Sequence, residues 1–240
     1  MSAGPGQVGT ISRVEFRCHR LRALRSFYGE HLGLPTVGDQ DQVTVTAGTT
    51  EIIFRRAADD QDGRYHFAFE VPESLVEDGQ QWLERRTPVL RYEGSPLVTG
   101  SEAWNSHACY AFDPAGNVIE LIGRHRLIDP ALRPFGPQHL RRLSEVGIVA
   151  PDVTALAARL GRRLGLVPWA GEKSPTFTAC GSELGLLIVV KTGRVWFPAG
   201  PPAAVSPLSV QLWGAKAGHL SDAKLGLELS IVEAPSAAMR

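Results

Sequence analysis

Two segments of the chain carry reactive side chains at short, regular spacing. In Tyr65-His-Phe-Ala-Phe-Glu-Val71, His66, Ala68 and Glu70 alternate with Phe67, Phe69 and Val71. Period-two alternation is the pattern of a strand, so His66 and Glu70 share one face and the apolar residues share the other. A sheet with a helix on one side and a histidine on the other can use that second side as a cavity wall. The other segment is Phe112-Asp-Pro-Ala-Gly-Asn-Val-Ile-Glu120. Pro114 presets φ at the second position of a turn, and Gly116 can take the positive φ that closes it. A three-residue loop of this kind pairs Asp113 with Asn117. Counting outward sets Tyr110 opposite Glu120 on one face. His107 falls on the other face if the strand runs unbroken that far, though Trp104-Asn105-Ser106 carries no strand pattern. Imidazole exchanges protons near neutral pH, and a positioned phenol can stabilise an oxyanion, so His107 and Tyr110 are candidates for acid–base work.

A duplicated unit positions these residues. Ile11-Ser-Arg-Val-Glu-Phe16 resembles Leu143-Ser-Glu-Val-Gly-Ile148 at an offset of 132 residues. The same offset carries Leu24 onto Leu156, Leu32 onto Leu164, Gly33 onto Gly165 and Leu34 onto Leu166. Each unit reads as a strand (Val14, Phe16, Cys18), a helix with Leu21, Leu24, Tyr28 and Leu32 on one face, a left-handed exit at Gly33, and further strands over 42–46 and 51–56. The unit is βαβββ. A middle unit fits with a strand at 65–71, a helix over 74–86 and strands at 89–92, 108–112 and 117–122. A third runs over 143–191. A fourth is degenerate, with strands near 208–213 and 225–232 and no helix between them. The proline-rich stretch 129–138 is the boundary. It divides a first domain, 1–128 (units one and two), from a second, 139–240 (unit three and the degenerate unit four). The fold class is α+β, with tandem βαβββ modules in curled mixed sheets around a cleft.

Composition excludes several classes. Twenty-five Lys and Arg balance 25 Asp and Glu, so no net charge draws the chain to nucleic acid or an anionic membrane surface. No apolar run reaches the roughly 18 residues of a spanning helix. The N-terminus lacks a secretory signal pattern. Cys18, Cys109 and Cys180 form neither a disulfide framework nor a metal knuckle, which fits reduced cysteines and a cytoplasmic location. No Gly-x-Ser-x-Gly elbow appears, and Lys191-Thr-Gly-Arg194 is no phosphate loop.

The βαβββ repeats, the Tyr65–Val71 strand and the Phe112–Glu120 hairpin resemble the vicinal oxygen chelate superfamily of glyoxalases, bleomycin-resistance proteins and extradiol ring-cleavage dioxygenases. The resemblance covers roughly residues 10–195 on these motifs and is specific for fold rather than reaction. It implies metal ligands on the first and last strands of a module, here His66 and Glu120, with His107 as third ligand in the same hairpin. The implied cofactor is a divalent metal, Fe(II) favoured, with Mn, Zn or Ni as alternatives. Tyr110 matches the tyrosine that hydrogen-bonds substrate in extradiol dioxygenases. The implied function is metal-dependent chemistry on a small oxygen-bearing substrate, most like extradiol cleavage, with a homodimer formed through edge strands.

Three departures support rivals. Arg13 and Glu145 occupy the positions of the first-strand histidine in units one and three, and Ile53 that of the carboxylate. Arg13 could bind a substrate anion, with an ion pair to Glu15, Glu70 or Glu120 as its plain structural role. Trp104, Trp196 and Phe197 could line a cleft. The rivals are a metal-free small-molecule binding or resistance protein anchored by Arg13, and a metal-independent lyase or isomerase using His107 and Tyr110. Glu145 could be a ligand only if unit three packs on unit two.

Overall fold

The computed structural model describes residues 9–57, 63–171 and 173–234. Unit one comprises β1 (Ile11–Cys18), α1 (Leu21–Arg25), β2 (Thr36–Gly38), β3 (Gln42–Ala47) and β4 (Thr50–Arg56). Unit two comprises β5 (His66–Glu70), α2 (Val76–Glu84), β6 (Val89–Leu90), β7 (Val98–Thr99), β8 (Ser106–Phe112) and β9 (Val118–Arg124). Unit three comprises β10 (Arg142–Ala150), α3 (Val153–Leu164), β11 (Phe177–Ser182) and β12 (Gly185–Lys191). Unit four is β13 (Leu208–Trp213), β14 (Gly218–Asp222) and β15 (Leu227–Val232), with no helix. The repeat is thus α+β as expected, and β2, β7 and β14 are short strands that periodicity did not reveal.

The units pair in a way the chain order hides. One sheet runs β14-β15-β13-β1-β4-β3-β2 and combines units four and one. The other runs β11-β12-β10-β5-β9-β8-β6, with β7 on β8, and combines units three and two. In both sheets two units meet antiparallel through their first strands, β1 with β13 and β5 with β10. The halves 1–128 and 139–240 therefore interleave, and each contributes to both sheets. The linker expected at 129–138 is irregular, ending in a short 3-10 turn at Pro137–His139.

The apolar faces of the two sheets share one core. Phe16 of β1 stacks on Phe67 of β5 at 5.0 Å between ring centres and also meets Phe54 and Tyr65. The Phe67 face thus packs on the first sheet as well as on helices. Burying one such ring contributes about 1.5–3 kcal/mol. α3 begins at Asp152, whose side chain accepts the Ala155 N–H, and ends at Gly165 with φ 69°. The first helix departs from the expected form. After α1 the chain widens into a π-helical turn, Ser26–His31, which buries both Phe27 and Tyr28. No helix among the described residues is long and apolar enough to cross a membrane.

Candidate active site

The hairpin between β8 and β9 forms with the expected turn. Asp113 N–H donates to Asn117 O at 3.0 Å, Gly116 N–H to Asp113 O at 2.9 Å, and Gly116 has φ 82°. The Asp113 carboxylate holds the turn together. Its Oδ1 accepts the Ala115 and Asn117 N–H groups, and its Oδ2 accepts the Asn117 amide and the Tyr28 hydroxyl, all at 2.8–3.0 Å. Burial pushes Asp113 up to about 6 against the pull of those donors. Asn117 Oδ1 also accepts the Tyr65 N–H at 3.0 Å, tying the hairpin to the residue ahead of β5. β9 then runs parallel to β5 with His66 opposite Val118 and Ala68 opposite Glu120. Tyr110 and Glu120 face each other across β8 and β9.

This register brings three expected residues together. His66 Nε2 lies 3.0 Å from Glu120 Oε2, and the Tyr110 hydroxyl donates to Glu120 Oε1 at 2.9 Å. A carboxylate only accepts, so the bond to Glu120 puts a ring proton on Nε2, and in the neutral ring Nδ1 is then the acceptor. Nδ1 is buried without a hydrogen-bond partner among the described residues. Burial and the neighbouring Glu120 charge hold the Tyr110 phenol well above its ordinary range, so it stays a donor.

Unit three does pack on unit two, and β10 places Glu145 opposite Ala68. Glu145 is held by Arg124, the last residue of β9, whose guanidinium is fully buried and also donates to Ser144 Oγ at 2.9 Å. Burial first, then Glu120, pushes Glu145 up to about 7, while Arg124 and His66 pull it down. A carboxyl raised in the fold above its ordinary 4.5 retains a proton that the unfolded chain has lost. Its contribution to stability is complete below the ordinary value and is lost as pH rises through the raised one. Between pH values of about 5 and 8, the wild type should therefore lose about 1–3 kcal/mol more than Glu145→Gln. Urea unfolding at both pH values measures this, and parallel losses in the two proteins would contradict it.

These groups floor a cavity of about 420 Å³, walled by Tyr92, Trp104, Phe177, Trp196 and Phe197. That volume is in the range of small-molecule sites. Trp196 lies nearly parallel to His66, 5.4 Å between ring centres and 22° between planes. Gly147 of β10 makes room for it, since a Cβ there would stand 2.5 Å from the indole. Gly147→Ala should push Trp196 off His66, costing about 1–3 kcal/mol and weakening the near-ultraviolet dichroism of the indole. An unchanged spectrum and stability would show that the contact is not tight.

Two expected site residues lie elsewhere. β8 is unbroken from Ser106, so alternation sends Ser106, Ala108 and Tyr110 to the cavity and His107 to the opposite face. There His107 meets the ring of His125 at 4.9 Å, and His125 bonds Glu73. His107 is therefore neither a third ligand beside His66 and Glu120 nor an acid–base partner for Tyr110. Arg13 belongs to the first sheet and faces Glu51 at 3.7 Å. It lines a separate, half-open depression with Glu15, Gln211, His219 and Glu228, so it does not anchor a ligand in the second-sheet cavity. Trp104 is at the cavity, packed on Trp169 and Phe177. Sequence reasoning missed Arg124, although β9 alternation puts it on the same face as Glu120 and Ile122.

The chemistry of the donors tests the metal that the resemblance implies. His66 and Glu120 converge, but the second oxygen of Glu120 takes the Tyr110 hydroxyl and Glu145 is taken by Arg124. Among the described residues, no three His, Cys, Asp or Glu side chains stand close enough to hold a metal ion. The arrangement does not fit a centre with three protein ligands.

Comparisons with known proteins agree with the fold. Residues 13–122 match the family model of a glyoxalase-like domain. A putative dioxygenase from Bacillus subtilis superposes with a TM-score of 0.63 at 14% identity, covering 96% of this chain and 86% of that one. Glyoxalase I from Zea mays superposes with a TM-score of 0.56 at 14% identity, covering 93% and 92%. No curated protein matches the chain by sequence. The chain thus shares the fold of these structures, and its residues 13–122 are similar to a glyoxalase-like domain.

Proposed function

We propose that the second-sheet cleft binds a small, flat molecule and moves a proton on it without a bound metal, as a lyase or isomerase does. The observation that carries this is His66, a residue of the cavity lining fixed through Nε2 by Glu120, whose Nδ1 is buried and has no partner among the described residues. A base whose second nitrogen is held by a carboxylate has a set tautomer and orientation. His66 Nδ1 takes a proton from an acidic C–H or O–H of the ligand. Glu120, 3.0 Å away, stabilises the imidazolium that forms. Tyr110 restrains the other Glu120 oxygen, and the aromatic walls exclude water, which strengthens each of these interactions. The test is exchange of carbon-bound hydrogen in small aromatic carbonyl compounds in heavy water, followed by proton magnetic resonance. Exchange catalysed by the wild type and lost in His66→Gln supports the reading. Equal exchange by both proteins contradicts it, and tight binding without exchange points to a binding protein.

A metal-dependent, extradiol-type reading is favoured by one observation. His66 and Glu120 lie on the first and last strands of unit two, where the resemblance puts ligands. That reading requires Glu145 to leave Arg124 and become the third donor.

A further inference from the structure

The cleft is polar at both ends, with opposite signs. Its inner end holds Glu120 and Glu145, each about 3% exposed. Its mouth holds Arg194, the one arginine or lysine among the described lining residues. The Arg194 guanidinium lies 4.9 Å over the Phe177 ring and donates weakly to Thr176 Oγ1 at 3.4 Å. No ion-pair partner of Arg194 is seen among the described residues. A ligand anion is therefore attracted to the mouth, while at the inner end Arg124 is already taken up by Glu145, which favours entry with the anion outermost. Between the ends, the lining is aromatic, with Trp104, Phe177 and Trp196, and suits a flat body. Two buried nitrogens of residues that line the cleft have no partner among the described residues: His66 Nδ1, the acceptor, and Trp196 Nε1, a donor. Unmet buried polar groups are costly, and a ligand hydroxyl has the chemistry to donate to the first or to accept from the second.

We infer that the ligand is a hydroxyaryl carboxylate or a similarly flat anion, inserted hydroxyl first, with its negative group held at the mouth by Arg194. This rests on the cleft reading above and adds Arg194 as the residue that selects the anion. The probes are para-hydroxybenzoate and para-hydroxyphenylacetate, each paired with its primary amide, titrated calorimetrically into the full chain. The wild type should bind the acids about tenfold more tightly than the amides. That preference should shrink with added salt, because the mouth is open to solvent. Arg194→Gln should abolish the preference by weakening the acids more than the amides, and Arg194→Lys should keep part of it. Acids and amides bound alike by the wild type, or a preference that survives in Arg194→Gln, would overturn this inference alone. Failure of all four probes to bind would overturn the cleft reading with it.

Discussion

Replacing Arg124 by methionine is expected to destabilise the fold by about 3–5 kcal/mol, the usual cost of leaving one member of a buried ion pair alone. Methionine keeps the apolar stem but is shorter than arginine, so the loss combines the missing charge with a small cavity. The wild-type guanidinium is wholly buried and bonds both Glu145 and Ser144 across the boundary of units two and three. Without it, Glu145, already raised to about 7, must take up a proton or stay charged beside Glu120 with no counter-charge. Urea unfolding measures the loss. The double variant Arg124→Met, Glu145→Gln should recover much of it, because the stranded charge is gone. Arg124→Lys should fall between, since an ammonium cannot reproduce the fork that reaches both partners. If Arg124→Met unfolds within about 1 kcal/mol of the wild type, the pair is not what joins the units there.

His66→Gln is expected to lower catalysed hydrogen exchange by about 10²–10⁴-fold, the usual range for removing a positioned general base. The fold should suffer little, because the glutamine amide can still donate to Glu120. The KM for a responsive compound should change far less than kcat, since the ring faces that hold the ligand remain. Exchange should not return on adding divalent metal. A kcat preserved in His66→Gln would remove His66 from the chemistry.

Much of this site was legible in the sequence because a hairpin and a strand obey a two-residue period. The Asp113–Gly116 turn set the count that pairs Tyr110 with Glu120, and that pairing holds. His66 required only the alternation of one strand. His107 was misplaced because membership of a hairpin was weighed above the same alternation. Arg13 was misplaced because offsets within a repeat say which residues are equivalent, not which sheet they join. The pairing of units one with four and two with three depends on contacts distant in the chain. Arg124 as the partner of Glu145 is hidden for the same reason, since β9 and β10 are separated by β5 in the sheet. The π-helical turn after α1 is likewise invisible, because Leu24, Tyr28 and Leu32 suit an ordinary helix equally well.

The most direct test of the central claim is the tautomer of His66, read from the two-bond proton–nitrogen spectrum of protein carrying isotope-labelled histidine, with His66→Gln for assignment. The account predicts a proton on Nε2, a bare Nδ1, and no change in either nitrogen on adding chelator or one equivalent of Zn(II) or Ni(II). Binding of a ligand should shift Nδ1. A bare Nε2 that moves or broadens when metal is added, with the change absent in Glu120→Gln, would contradict the account and establish His66 and Glu120 as metal ligands.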